Sequence, residues 1–407
     1  MMVLVRNVVV GAILVSVLTP QVAWAQAGHE HHAAAAAGWR LMQDGVISGI
    51  FNEQGGPRGD REFFVPNWWM GMLTRDAGRH RITLSGMFSL DAATVGKSGY
   101  AELFQVGEAL DGVPLVDRQH PHDFFMQLAA AWRISLNERT SLTFSGGPAG
   151  EPTLGPVAFM HRASAAGLPS APLGHHTFDS THISFGVAAA SLTVGRVTVE
   201  GSVFNGREPN EDRWDINLGR LDSYAARVWF RPRDGWEVQL SSGRLREPEE
   251  LEPGDVTRTT ASASWTRLSE NHLFGVTAGW GVNAAHGDRK HGLFIEGSSE
   301  RGKNMLALRL ERQDLEVEKL LGHHHGHGEA AEPSGVVTAL TLGAGRRVLE
   351  WRGFEGLIGL QGTLHWPPAA LEATHGTFPK SGQIYFRLRL PSPGMPRMWG
   401  MTMSKGH

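Results

Sequence analysis

From residue 38 to residue 390, apolar and polar residues alternate with period 2 in segments of about ten, separated by clusters of Gly, Asp, Asn and Pro. Helical spacing is nearly absent. In residues 81–91, Ile82, Leu84, Gly86, Phe88 and Leu90 share one face, and Arg81, Thr83, Ser85, Ser89 and Asp91 share the other. Residues 304–314 repeat the pattern with Leu306, Leu308 and Leu310 against Arg309 and Glu311, and residues 383–390 set Ile384, Phe386 and Leu388 against Tyr385, Arg387 and Arg389. The alternation predicts strands at 38–51, 62–74, 79–91, 124–136, 140–147, 182–194, 197–206, 220–231, 235–245, 256–268, 271–283, 290–299, 303–313, 335–347, 353–366 and 381–390.

A soluble β-sandwich alternates too, so the connections decide between a dry core and lipid. Short turns such as 75–80, 137–140, 194–197, 231–236, 268–272, 299–304 and 349–353 alternate strictly with longer links, among them 92–123, 148–181, 207–219, 314–334 and 367–380. Short turns on one side and long loops on the other predict an all-β, transmembrane, antiparallel up-and-down barrel of about 16 strands (14–18), with periplasmic turns and extracellular loops. Trp68, Trp69, Trp132, Trp229, Trp236, Trp265, Trp280, Trp351 and Trp366 fall near strand ends, where an interfacial girdle belongs. Charge on the lipid face costs ~2–4 kcal/mol at the midplane. Arg81, Arg133, Glu200, Arg227, Glu296, Arg309, Glu311, Arg387 and Arg389 are therefore expected to line a polar lumen.

The N-terminal stretch changes the compartment. Arg6, the apolar run of residues 8–18 and Ala23-Trp24-Ala25 read as a signal peptide over 1–25, which directs the chain out of the cytoplasm. The remaining order is a His-containing periplasmic tail (26–37), the barrel (38–390) and a Met- and His-containing periplasmic tail (391–407). There is no cysteine, so there is neither a disulfide nor a lipidated N-terminal cysteine. With 38 basic against 41 acidic residues and no basic cluster, nucleic acid is not a partner. The expected partners are outer-membrane lipids, the barrel assembly machinery, and a small solute or metal ion.

Histidine supplies the candidate chemistry. Fourteen of the 20 histidines fall on the long-loop side. Imidazole is the commonest protein ligand of Zn and Cu, and neighbouring carboxylates let several ligands converge. DRQHPHD (117–123) carries His120 and His122, and the 148–181 link with the strand that follows carries His161, His175, His176, Asp179 and His182. These two long links can meet over the mouth, either around an ion or as a hydrogen-bonded constriction with Arg118, Arg162 and Asp179. GHHHGHGE (322–329), with His323, His324, His325 and His327, is a compositional metal tract. Met395, Met398, Met401 and Met403 in the C-terminal tail offer thioethers to Cu(I). Glu208, Glu211, Asp212 and Asp215 form an acidic link that could supply oxygen ligands or bridge to Arg118 and Arg162.

One enzyme pattern needs testing. His182-Ile183-Ser184, with Asn205 on the next strand, resembles the catalytic pattern of outer-membrane acyl hydrolases, which present His and Ser to lipid. Here Ile183, Phe185 and Val187 hold the lipid-side parity and Asn205 has the opposite parity to the pair, so no catalytic residues are expected.

DRQHPHDFF, GPAGEPTLGPVAFMHR, LGHHTFDSTHISFG and FNGREPNEDRWD together resemble an uncharacterised family of Gram-negative outer-membrane β-barrels found in copper or heavy-metal resistance contexts. The resemblance is strongest over residues 117–230. It implies the barrel fold and a metal context, and carries over no catalytic residue. The combined expectation is a porin-like channel or binding barrel for a small polar solute or metal ion, requiring no cofactor but able to hold Cu or Zn. A structural or non-selective barrel is the alternative.

Overall fold

Period-2 alternation leaves each strand one apolar and one polar face, and a sheet made of such strands satisfies both faces when it closes on itself. The computed structural model describes residues 38–251, 254–269, 272–322, 334–391 and 399–403. Its strands are β1 (Arg40–Gln54), β2 (Arg61–Phe64), β3 (Asn67–Ala77), β4 (His80–Phe88), β5 (Tyr100–Leu110), β6 (Val113–Gln119), β7 (Phe125–Ser135), β8 (Thr140–Gly150), β9 (Ser184–Val194) and β10 (Val197–Phe204). They continue with β11 (Ser223–Phe230), β12 (Trp236–Leu245), β13 (Val256–Ser269), β14 (His272–Ala285), β15 (Asp288–Arg301), β16 (Asn304–Glu316), β17 (Ser334–Trp351), β18 (Phe354–Trp366) and β19 (Lys380–Arg389).

Sixteen of these form a closed antiparallel transmembrane barrel, in which β1 pairs with β3 on one side and β19 on the other. The remaining three are β2, which lies against the distal half of β1, and the separate hairpin β5–β6. Both barrel termini, Arg40 and Arg389, sit at the short-turn end. Two-residue turns there place Gly78 and Gly302 at φ of 61° and 57°, a left-handed conformation that glycine adopts without steric cost.

The alternation of link lengths has one exception. On the long-loop side β14 and β15 are joined by His286 and Gly287 alone, because each strand runs 14 residues, beyond the ~9–11 needed to span. Outward positions such as Val199, Val203, Leu306, Leu308, Leu310, Ile384 and Phe386 are exposed, while Glu200, Arg227, Glu296, Arg309 and Glu311 are buried inside. An apolar exterior around a charged interior is the inverse of a soluble barrel, and lipid is the solvent that it fits. No helix of the described residues is long and apolar enough to cross a membrane.

Two tryptophans depart from the expected girdle. Trp229 is buried inside, where its Nε1 donates to Glu200 at 2.9 Å under the Arg227 guanidinium. Trp68 also faces inward, edge-on to His161 at 5.4 Å. Met126 breaks the strict alternation of β7. Phe88 pairs with Phe125 and Met87 with Gln127, so Met126 is the extra residue of a β-bulge. The bulge turns Met126 from the lipid face to the inside, where it is 1% exposed.

The link at 151–183 does not stay outside. It descends into the barrel as a plug of short helical turns, and nearly all of its residues are buried. It contacts the inner wall on widely separated strands. Thr153 bonds Ser202 of β10 (2.9 Å), Gly155 bonds Ser241 of β12 (2.9 Å), Ser164 bonds Thr277 of β14 (2.7 Å) and Ser170 bonds Gln361 of β18 (2.7 Å). Over it lies a cap made of hairpin β5–β6 with helices α1 (Val317–Leu321) and α2 (Ala369–His375), joined through Leu103, Phe104, Leu320 and Leu371, which also pack on Leu173 of the plug.

Candidate functional site

A buried charge network adds to the plug's anchorage. Arg162 donates to Asp179 at 2.8 Å and to Glu296 at 2.7 Å, and Glu296 also accepts from Arg309 at 2.8 Å. Burial alone would raise the Asp179 pKa, but Arg162 and His175 hold it well below the usual carboxylate range. Asp179 thereby connects the plug's anchor to its histidines.

Five histidines meet where the plug passes under the cap. Ring centres are 5.9 Å apart for His120 and His176, 6.1 Å for His120 and His175, 5.4 Å for His175 and His176, 5.3 Å for His175 and His182, and 5.8 Å for His122 and His182. Each ring has an oxygen beside Nδ1. The partners are Glu108 for His120 (3.1 Å), Asp91 for His122 (2.8 Å), Asp179 for His175 (2.7 Å), Glu208 for His176 (3.3 Å) and the Asp179 carbonyl for His182 (2.8 Å). An acceptor at Nδ1 places the proton there and leaves Nε2 with the lone pair, the tautomer that metal-ligating histidines carry. His182 Nε2 is buried with no hydrogen-bond partner.

Burial pushes His182 down to about 3, with His175 and His122 adding to the effect, and lowers His175 against the pull of Asp179. These rings are neutral at physiological pH. His176 differs. Burial opposes its charge, yet Glu208 raises its pKa above the usual value. Gly107 of β5 lies flat on that ring, and a Cβ there would sit 2.2 Å from His176 Cε1. Among the described residues, no three His, Asp or Glu side chains already converge on one point at coordination distance.

The other sequence candidates are distributed differently. His161 is carried down the lumen by the plug, beside Trp68 and within the field of Asp44 and Arg389, so it does not join the five. Arg118 pairs with Glu62 (3.2 Å) and Asp60 (3.6 Å) rather than with the acidic 204–224 link. From that link, Glu208 reaches His176, and Arg213 pairs with Glu108 and, at 3.4 Å, with Asp123. Of the lumen set, Arg81 is engaged with Asp76 (2.6 Å), Arg387 with the Ala166 carbonyl and Arg389 with Asp44, while Arg133 is half-buried. His323, His324, His325, His327, Met395 and Met398 lie outside the described residues.

The described part of the C-terminal tail is not a free extension. Trp399 stacks on Arg389 at 4.7 Å, Gly400 N donates to the His161 carbonyl at 2.8 Å, and Met401 and Met403 are buried inside the barrel. The acyl-hydrolase pattern is not assembled. Ser184 Oγ donates to the Thr181 carbonyl at 3.2 Å instead of bonding His182. Asn205, just past the end of β10, is buried rather than lipid-facing, and its amide Nδ2 points at the Asn217 carbonyl.

Cavities run past the plug. One of about 100 Å³ is bordered by His120 and His122 above and by Arg387, Arg389 and Trp399 below. Another of about 520 Å³ opens beneath the plug at the short-turn end, and Trp399 borders it too. The sequence pointed to the histidines and to the C-terminal methionines but not to Asp91 or Glu108, whose part in the site depends on how strands and cap pack.

No family model and no curated protein sequence matches this chain. Solved outer-membrane barrels do match its structure. OmpF of Salmonella typhi, solved in complex with daunomycin, aligns with TM-score 0.52 at 8% identity over 87% of this chain and 98% of its own. OprB of Pseudomonas putida aligns with TM-score 0.52 at 10% identity over 87% and 94%. A loop-deletion mutant of OmpT, an outer-membrane protein of Vibrio cholerae, aligns with TM-score 0.50 at 9% identity over 86% and 99%. At such identities the likeness is one of fold.

Proposed function

We propose that this protein is a plugged, porin-like barrel in the outer membrane of a Gram-negative bacterium, exported by its signal peptide and inserted by the barrel assembly machinery. It binds and passes a small polar solute or, on our reading, a metal ion such as Cu or Zn, without catalysis. One observation carries the metal reading: five imidazoles with Nδ1 committed to oxygen acceptors cluster under the cap, and two of them, His120 and His122, border a cavity beside the plug. Two imidazoles sharing one tetrahedral ion have ring centres roughly 5 Å apart, given Zn–N of about 2.0–2.1 Å. The His175–His182 pair at 5.3 Å and the His122–His182 pair at 5.8 Å are near that spacing, so small ring movements bring their Nε2 atoms onto one ion. The cavity of about 100 Å³ has room for an ion with a few waters. The resemblance of DRQHPHDFF and LGHHTFDSTHISFG to barrels from copper-resistance contexts points the same way.

The test is Zn(II) and Cu(II) titration of the untagged, detergent-purified protein. His122→Gln with His175→Gln is expected to weaken binding by at least about 10–100-fold, the range seen when only a group hydrogen-bonded to a metal ligand is lost. Unchanged affinity in that double variant would move the metal to the 322–329 tract or the C-terminal methionines, and no binding by the wild type would leave a non-selective barrel with hydrogen-bonding histidines.

A further inference from the structure

Inward positions of this barrel are mostly Ser, Thr, Gln, Arg and Glu, except in one sector. Met70 and Met72 of β3, Met87 of β4 and the bulged Met126 of β7 place four thioethers side by side on the inner wall. The plug adds Met160, and the C-terminal segment adds Met401 and Met403 from the opposite direction. With Met42 packed behind them, eight of the chain's 13 methionines gather in this one place. Residues far apart in sequence and on three separate structural units supply the same side chain, although leucine would fill the space as well. Gly150 admits one of the sulfurs, since a Cβ there would lie 2.6 Å from Met403 Sδ.

Seven of these methionines, with Thr83, Ser85, Gln127 and Glu151 among the other lining residues, border a cavity of about 40 Å³, which has room for one bare ion or a single water. His182, whose Nε2 has no partner, and His161 also line it. Thioether sulfur is a soft, uncharged donor that prefers soft, low-charge cations over Zn(II) or Mg(II).

We infer that this methionine-lined cavity is a second binding site, selective for a soft monovalent d10 cation of the Ag(I) or Cu(I) class, with His182 common to it and to the histidine cluster above. The inference adds a cation class to the metal-conduit reading but stands on different side chains, so each can fail alone.

Ag(I) is the probe, because it is soft and needs no reductant. Full-length protein in detergent is titrated with silver nitrate in chloride-free buffer, and X-ray absorption is recorded on the bound metal. Wild type should show Ag–S scattering. The Met70→Leu, Met87→Leu, Met126→Leu triple variant preserves side-chain volume and should bind Ag(I) at least about tenfold more weakly, while Zn(II) affinity is unchanged. If that variant fails to give a heat-modifiable folded barrel, Met401→Leu with Met403→Leu reads the same site from the C-terminal segment. Nitrogen-only scattering, or undiminished Ag(I) affinity in a folded leucine variant, would mean that the methionines serve packing only. Loss of Zn(II) but not Ag(I) binding in the His122→Gln, His175→Gln variant would separate the two sites.

Discussion

Replacing residues 152–180 with a short Gly-Ser link raises single-channel conductance in planar bilayers by about an order of magnitude, because sixteen strands enclose an aqueous channel when nothing fills it. In this barrel something does fill it. The plug bonds inner-wall side chains on β10, β12, β14 and β18, which leaves narrow cavities in place of an open lumen. The same deletion removes what the cap rests on, since Leu103 and Phe104 pack on Leu173, and Gln105 donates to the Pro172 carbonyl at 2.7 Å. Plug and cap therefore fail together, and the conductance gain includes both. A correctly folded deletion variant that conducts no better than wild type would show that the cap alone closes the barrel.

Arg162→Ala carries the second large effect. The guanidinium is buried between Asp179 and Glu296, and removing it leaves two carboxylates facing each other's field with no cation between them on the plug side. Breaking a buried pair by deleting one partner costs about 3–5 kcal/mol. Arg309 still serves Glu296 at 2.8 Å, so the loss is concentrated at Asp179. Hydrogen exchange across residues 153–182 should quicken in proportion, while exchange in the strands stays slow. Because Asp179 also orients His175 and, through its carbonyl, His182, Zn(II) affinity should fall in the same variant. Unaltered exchange in the plug would place its anchoring elsewhere, in the hydroxyl and glutamine contacts of Ser164 and Ser170.

The histidine site shows how far residue type reaches without geometry. His120, His122, His175, His176 and His182 were recognisable from residue type and from the pairing of two long links. Their meeting depends on Asp91, Glu108 and Glu208, which stand at three unrelated points of the chain and have no local signature. His161 carried the same signal and belongs elsewhere, because the plug sets it against Trp68 before the chain turns back to His175. The methionines were legible only as a tail feature. Met70, Met72 and Met87 lie on strands with no local mark of a shared site, and the bulge opposite Met87 is what turns Met126 inward.

What the sequence determined by itself is what nearest neighbours determine. A side chain alternates faces every residue, and a Gly-containing turn reverses the chain within two, so sixteen strands and the two kinds of link could be read from local pattern. Closure, and which side of it each long link occupies, are decided by contacts between residues distant in the chain. Arg162 with Glu296, Ser170 with Gln361 and Gly400 with His161 are separated by 134 positions, 191 positions and more than half the chain. The 151–183 link carries only three charged residues, Glu151, Arg162 and Asp179, but its Gly and Pro break every regular period, so it reads as a loop between strands. It lies inside because the lumen wall offers Glu296, Ser202, Ser241 and Thr277 as partners for its buried polar groups, and only the closed barrel brings those partners to one place.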